Sequence, residues 1–183
     1  MGNRLTKIYT RTGDDGSTGL GDGTRVSKAS PRIGVIGDID ELNSLMGLLL
    51  AVDQTRAFRE RLQPVQHLLF DLGGELAIPR ARTLEENAVT YLEKLTDEFN
   101  GELTPLKEFV LPGGNQAASV CHIARAVCRR CERHIVLLGE TEFVNPISRI
   151  FLNRLSDLLF VLSRILARQN GGREILWEKE SLK

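Results

Sequence analysis

The sequence predicts an all-α fold, a five-helix up-down bundle with a glycine-rich N-terminal arm. Two observations carry this reading. Apolar residues recur at helical spacing in five separate segments, with glycine and proline between them. No segment shows a convincing strand period, so the helices must bury their apolar stripes against one another. A chain of 183 residues, 42% of them hydrophobic, is the size of one domain that can close a single core without disulfide or metal staples. One domain over 1–183 is therefore expected, with an arm over 1–32, a bundle over 33–170 and a tail over 171–183.

Residues 7–32 carry Gly13, Gly16, Gly19, Gly21 and Gly23 among Asp14, Asp15, Thr18 and Lys28, and read as a loop segment ending at Pro31. From Ile33 onward, Ile36, Ile39, Leu42, Leu45, Met46 and Leu49 mark the first helix. Phe58, Leu62, Val65, Leu69, Leu72 and Leu76 mark the second, which stops before Pro79 because proline cannot continue a helix interior. Thr83-Leu84-Glu85-Glu86 reads as a capping box that opens a third helix through Ala88, Leu92, Leu95 and Phe99, with Gly101 at its end. The short run Phe109-Val110-Leu111 stops at the turn Pro112-Gly113-Gly114, and the fourth helix follows from about Gln116 to Leu138. Asn145-Pro146 opens the fifth, with Ile147, Phe151, Leu155, Leu158, Leu162, Ile165 and Leu166 as its stripe and Gly171-Gly172 as its close.

Lys plus Arg and Asp plus Glu number 24 each, so no net field exists to hold nucleic acid or an acidic membrane surface, and any anion site must be local. No signal-peptide run and no membrane-spanning stretch occurs, and three cysteines do not make a secreted disulfide framework. A soluble protein of the reducing cytoplasm is expected.

Glycines among hydroxyls and acids let backbone N–H groups approach an anion, so the arm is either a phosphate cradle or a flexible terminus. It is not a P-loop: in Gly16-Ser17-Thr18-Gly19-Leu20-Gly21 the lysine position is Asp22 and no helix pattern follows. Lys28 is a phosphate ligand or a solvated charge. On the fourth helix His122, Arg125, Arg129, Glu132 and Arg133 project as one polar stripe when each residue turns by about 100°. Cys121, Ala124, Cys128, Cys131, Ile135 and Leu138 fall on another face, which reads as core and not as a redox pair or a zinc site. Four arginines between 125 and 133 with a single Glu repel one another unless phosphates or carboxylates compensate. On the fifth helix Asn153, Asp157, Phe160 and Arg164 form a polar stripe broken by one aromatic, suited to a cavity wall or a subunit contact. The chain has no Glu-x-x-His, which sets aside a di-iron carboxylate centre. Asp38, Asp40 and Glu41 on the first helix cap, remain solvated or pair with the arginines of the fourth.

Thr6-Lys7-Ile8-Tyr9-Thr10-Arg11-Thr12-Gly13-Asp14-Asp15-Gly16 resembles the N-terminal signature of the diol-utilisation (PduO) type of ATP:cob(I)alamin adenosyltransferases. Phe109 to Gly114, continuing through Ala124-Arg125 to Arg129-Arg130-Cys131-Glu132-Arg133, resembles that family's central motif. Asn153-Arg154-Leu155-Ser156-Asp157 and Asp38-Ile39-Asp40-Glu41-Leu42-Asn43 supply two more blocks in the right order.

The resemblance implies transfer of the 5′-deoxyadenosyl group of ATP to Co(I) of a reduced corrinoid, with triphosphate released. It implies a homotrimer of five-helix bundles whose active sites lie between subunits, the arm of one chain folding over ATP on its neighbour. Its ATP contacts carry over to Thr10, Arg11, Thr12, Gly13, Thr18, Gly19, Lys28, Arg129, Arg130, Cys131, Glu132, Arg133 and Asn153. Its corrinoid side carries over to Phe109 and Phe160 and to an Asp40–Arg125 pair, so that Arg129, Asp40, Arg125 and Phe109 would carry catalysis. Mg²⁺ is expected to enter with ATP and not at a dedicated protein site. Cob(I)alamin is expected as co-substrate, with a corrinoid reductase and an adenosylcobalamin-dependent acceptor enzyme as partners. A carrier that holds the cofactor without turnover, or a bundle that merely trimerises, are the competing readings. His122 and His134 receive no role.

Overall fold

A computed structural model describes residues 8–179, apart from the side chains of Asp53 and Gln54. Thr6 and Lys7 of the N-terminal signature, and the tail beyond 179, lie outside the described residues. Five α-helices form the expected bundle: α1 (Pro31–Ala51), α2 (Arg59–Ala77), α3 (Glu86–Gly101), α4 (Gln116–Leu138) and α5 (Pro146–Arg168). Short 3-10 turns at Asp53–Phe58 and Gln169–Gly171 follow α1 and α5. α4 packs on both α5 and α1, α2 packs on α1, and α3 packs on α5.

The apolar stripes meet in one core that includes Leu42, Met46, Leu69, Leu92, Phe99 and Leu155, all fully buried. Each such side chain contributes about 1.5–3 kcal/mol by leaving water. The three thiols are buried too, and each donates to a neighbouring helix carbonyl: Cys121 to Leu159 at 3.1 Å, Cys128 to Leu152 at 3.2 Å and Cys131 to Asp38 at 3.2 Å. Burial pushes all three thiols up, Cys131 to about 12, which makes them inert packing groups.

Several element ends differ from the pattern. α1 starts two residues early, because Pro31 is its first residue and not the last of the arm; its fixed φ suits a helix start. Phe58 ends the 3-10 turn and α2 begins after it; α2 tolerates Pro64 inside and stops at Ala77, since Ile78, preceding Pro79, is extended. The expected capping box at 83–86 does not form. Glu85 is the N-cap without a side-chain bond, and the N–H groups of Thr83 and Leu84 go instead to the carboxylate of Glu75, at 2.5 and 3.0 Å. Asn145 and Pro146 do open α5 as expected, with Asn145 Oδ1 accepting from the Ile147 N–H at 3.2 Å.

Glu75 is the centre of a buried polar node. Besides Thr83 and Leu84 it accepts from Asn145 Nδ2 at 2.9 Å and from the Ser148 hydroxyl. Beside it the buried Arg32 donates to the carbonyls of Leu76 and Phe143 and pairs with Glu142 at 2.7 Å. Together they lock the end of α2 to the α4–α5 turn, and this end carries the arm. The Gly21 N–H donates to the Ala77 carbonyl at 2.7 Å, and a Cβ on Gly21 would stand 2.6 Å from Ile78 Cγ1.

The arm contains a strand pair that the absence of alternation did not predict, β1 (Ser17–Gly19) antiparallel to β2 (Arg25–Ser27). Three residues a side are too few to leave a period. A second extended contact ties 109–111 to the tail: the Leu111 N–H donates to the Ile175 carbonyl and the Trp177 N–H to the Phe109 carbonyl, both at 2.8 Å.

Candidate active site

The arm is built from its short polar side chains. Asp15 Oδ1 accepts from the Ser17 N–H and hydroxyl at 2.9 and 2.7 Å, and Asp22 does the same for Thr24. These bonds hold both carboxyls below their ordinary value. Gly16, at φ 83°, takes a left-handed turn that would strain other residues. Across the turn Arg25 donates to the Thr12 carbonyl at 2.6 Å and Lys28 Nζ to the Gly13 carbonyl at 2.8 Å. Gly13 sits so close that a Cβ there would meet the Ser17 carbonyl at 2.8 Å. The predicted residues Thr10, Arg11, Thr12, Gly13, Thr18, Gly19 and Lys28 therefore share one folded-back loop.

A second group lies on α4 and α5. Arg129 and Arg133 are exposed, and neither has a carboxylate in ion-pair range among the described residues. Arg133 merely donates to the Arg129 carbonyl at 3.1 Å. Next to them Asn153 Nδ2 donates to Glu132 Oε1 at 2.9 Å, while Asn153 Oδ1 accepts from Arg154, itself paired with Glu93 at 2.8 Å. No hydrogen bond or ion pair among the described residues joins this group to residues 10–28.

Four of the predicted residues stand apart from this group. Arg130 turns to α1 and pairs with Asp38 at 3.1 Å and with Glu41. Burial works against its charge, but Glu41 and Asp38 outweigh this and raise its pKa. Cys131 is a core residue, so only its backbone faces the stripe. Asp40 and Arg125 form no ion pair among the described residues: Asp40 is exposed, and Arg125 Nε is buried with no hydrogen-bond partner there. His134 Nδ1 lies 2.5 Å from Asp38 Oδ2.

Two members of the projected polar stripes are buried. His122 is 3% exposed with Nδ1 unpartnered, and burial, aided by the Arg125 charge, lowers its pKa. α4 touches helices on two sides, which widens its buried arc beyond a single apolar stripe. Arg164 is 4% exposed because the tail covers it, with Glu174 paired to it at 2.5 Å and to Arg168 at 2.5 Å. Sequence reasoning missed Glu174, Trp177 and Glu75; the one signal available was that Trp177 is the chain's single tryptophan.

On the remaining side stands Phe109, 78% exposed, a high value for so large an apolar ring. Its one ring partner among the described residues is Trp177, edge-on at 6.5 Å. Phe160 on α5 is half-buried. A depression of about 1010 Å³ opens near Ala51, Arg56 and Gln116, but contains none of the predicted site residues. The residues expected to hold ATP thus fall into two separated groups.

The sequence pattern of the cobalamin adenosyltransferases matches residues 8–166. The chain belongs to this family. It is 55% identical to a cobalamin adenosyltransferase of Cupriavidus metallidurans, over 98% of each chain. It is 42% identical to a corrinoid adenosyltransferase of Bacillus subtilis, over 96% of this chain and 94% of that one. Among solved structures, a single-site variant of the PduO-type ATP:corrinoid adenosyltransferase of Lactobacillus reuteri, complexed with cobalamin and ATP, superposes with a TM-score of 0.88 at 36% identity, covering 94% of this chain and 97% of that one. A second variant of that enzyme, complexed with ATP, gives the same TM-score over 93% and 100%. The helical bundle described above is thus the fold of PduO-type adenosyltransferases.

Proposed function

We infer that this adenosyltransferase completes its site between copies, the arm of one chain closing over ATP held on the α4–α5 face of another. The enzyme transfers the 5′-deoxyadenosyl group of ATP to the Co(I) centre of a reduced corrinoid. The cobalt lone pair attacks C5′, a Co–C bond forms, the C5′–O bond breaks, and its electron pair leaves with triphosphate. No protein nucleophile or proton-transfer base is required, so the side chains act by positioning and by charge.

One observation carries the assignment of the phosphate site. Arg129 and Arg133 stand exposed beside Asn153 with no carboxylate to neutralise them, an arrangement that suits a polyanion whose charge grows as it leaves. The arm supplies backbone donors around Gly13 and Gly16, and Lys28 is already drawn to that turn. Since no hydrogen bond or ion pair among the described residues joins the two halves, a homotrimer with shared sites accounts for both. Asp40 and Arg125, neither of which has an ion-pair partner among the described residues, are then available to pair across copies near the corrinoid.

Phe109 serves as the apolar wall that keeps the lower axial ligand off cobalt, and Phe160 lines the same side. A cobalt centre without that ligand is easier to reduce to Co(I), because no lone pair along the axis opposes the added electrons. Mg²⁺ would arrive on the phosphates of ATP, which it neutralises. Among the described residues no helix is long and apolar enough to cross a membrane. Three buried free thiols suit a reducing cytoplasm.

The test is an anaerobic assay of the protein with chemically reduced cob(I)alamin, ATP and Mg²⁺, following loss of the Co(I) spectrum and release of triphosphate. Multiple turnovers that vanish in Arg129→Ala, with the variant folded, support the site. Wild-type rates in that variant overturn the assignment of the phosphate half, and tight binding of both ligands without turnover turns the protein into a carrier.

A further inference from the structure

We propose that Trp177 is a positioning residue for the reaction, holding the Phe109 ring in the place it needs beneath the corrinoid. The inference rests on reading Phe109 as the apolar wall of that side.

Phe109 precedes a Pro-Gly-Gly turn and is 78% exposed, so neither its own loop nor the bundle core fixes its ring. What the structure sets against it is the tail. Trp177 meets the ring edge-on, centroids 6.5 Å apart and planes at 75°, the orientation that aromatic quadrupoles favour. The backbones are in register as well, since the Trp177 N–H donates to the Phe109 carbonyl and the Leu111 N–H to the Ile175 carbonyl.

The tail is itself anchored. The Glu174 side chain, 8% exposed, bridges Arg164 and Arg168, each at 2.5 Å. Arg164 goes on to donate to the Thr104 carbonyl at 2.8 Å and Arg168 to the Thr104 hydroxyl at 3.1 Å. One end of the 104–111 segment is therefore tied to the tail, and the other to the two α5 arginines that hold Glu174 of the tail. This ion bridge holds the segment that ends in the chain's single tryptophan, and so gives an exposed phenyl ring one fixed orientation. A wall that must exclude a ligand from cobalt needs a fixed ring, because a ring free to rotate away readmits the ligand.

The experiment uses the full chain with cob(II)alamin and ATP, reading the absorbance of the bound corrinoid for the fraction that has lost its lower ligand, and separately kcat and the KM for ATP. Trp177→Ala is expected to lower that fraction and kcat together by about threefold to tenfold, the range an edge-on aromatic pair supplies, with the KM for ATP unchanged. Trp177→Phe, which keeps a ring edge, is expected to restore most of both. Phe109→Ala is expected to lose more, and the double variant to lose no more than Phe109→Ala alone. Wild-type values in Trp177→Ala while Phe109→Ala fails overturn the role of Trp177 and leave that of Phe109 intact. Additive losses in the double variant also overturn it, since Trp177 would then act on its own. Wild-type values in Phe109→Ala overturn the wall and the inference with it. Should Trp177→Ala melt early, Glu174→Gln, which frees the tail and keeps the ring, must lower the same two readouts, and unchanged values there overturn the proposal.

Discussion

Asn153 on α5 donates its side-chain amide to Glu132 on α4 at 2.9 Å, beside the unpaired Arg129. The one acidic residue of the arginine stripe is thereby engaged with a neutral partner, and it leaves the arginine charge uncancelled. The bond also fixes which way the Asn153 carbonyl points, toward Arg154 at 2.7 Å.

Replacing Asn153 by Ala removes an oriented group from the face proposed to hold ATP and frees Glu132 to fold back on Arg129 or Arg133. Turnover is expected to fall by about one to two orders of magnitude, the scale of losing one positioned polar contact. Triphosphate release measures this, and an unchanged thermal melt shows that the bundle survives.

The Gly13→Ala variant asks the arm to admit a methyl group 2.8 Å from the Ser17 carbonyl and 3.1 Å from Lys28 Nζ. The turn must open, since a backbone carbonyl cannot step aside as a flexible side chain can. A raised KM for ATP with an unaltered melting temperature is expected, because the arm touches the bundle chiefly at Ala77 and Ile78.

Glu75→Ala removes the acceptor of four donors, those of Thr83, Leu84, Asn145 and Ser148, at a site where water cannot replace it. A loss of about 3 kcal/mol in chemical denaturation is expected, since leaving buried donors unpaired costs more than the net worth of each bond. The same loss should loosen the arm, which hangs from the end of α2.

The tail anchor is pH-dependent in a defined direction. Burial pushes the Glu174 carboxyl up, but hydrogen bonds from Arg164 and Arg168 and their charges outweigh it and hold its pKa below the ordinary value. A depressed pKa means stability that is present above the unfolded value of 4.5 and lost as pH falls through the lower, folded one. Glu174→Gln should therefore cost about 2 kcal/mol at pH 7, and the difference from wild type should shrink as pH falls below 4.5. Thermal melts of the two proteins across that range check it.

Periodicity was enough to place the core. Cys121, Cys128 and Cys131 fall on the apolar face of α4 in the sequence, and all three are buried. It misassigned His122 and Arg164, both drawn on polar stripes. A projection sees one helix at a time and knows nothing of α1 behind α4 or of the tail over α5. The capping box failed for a related reason: a local pattern competed with Glu75, which reaches Thr83 and Leu84 through the folded chain.

By itself the sequence determined the five helices, their inward faces, the arginine stripe and the family, because these follow from the periodic placement of apolar residues and from short ordered motifs that local chemistry reads directly. Only the tertiary structure decided that Arg130 belongs to Asp38 and Glu41 while Arg129 and Arg133 stay unpaired, that the arm and the stripe form separate halves, and that Trp177 rests on Phe109. Each depends on partners dozens of residues apart in the chain, and which of several equal charges or rings is engaged is settled only when packing brings one of them within reach.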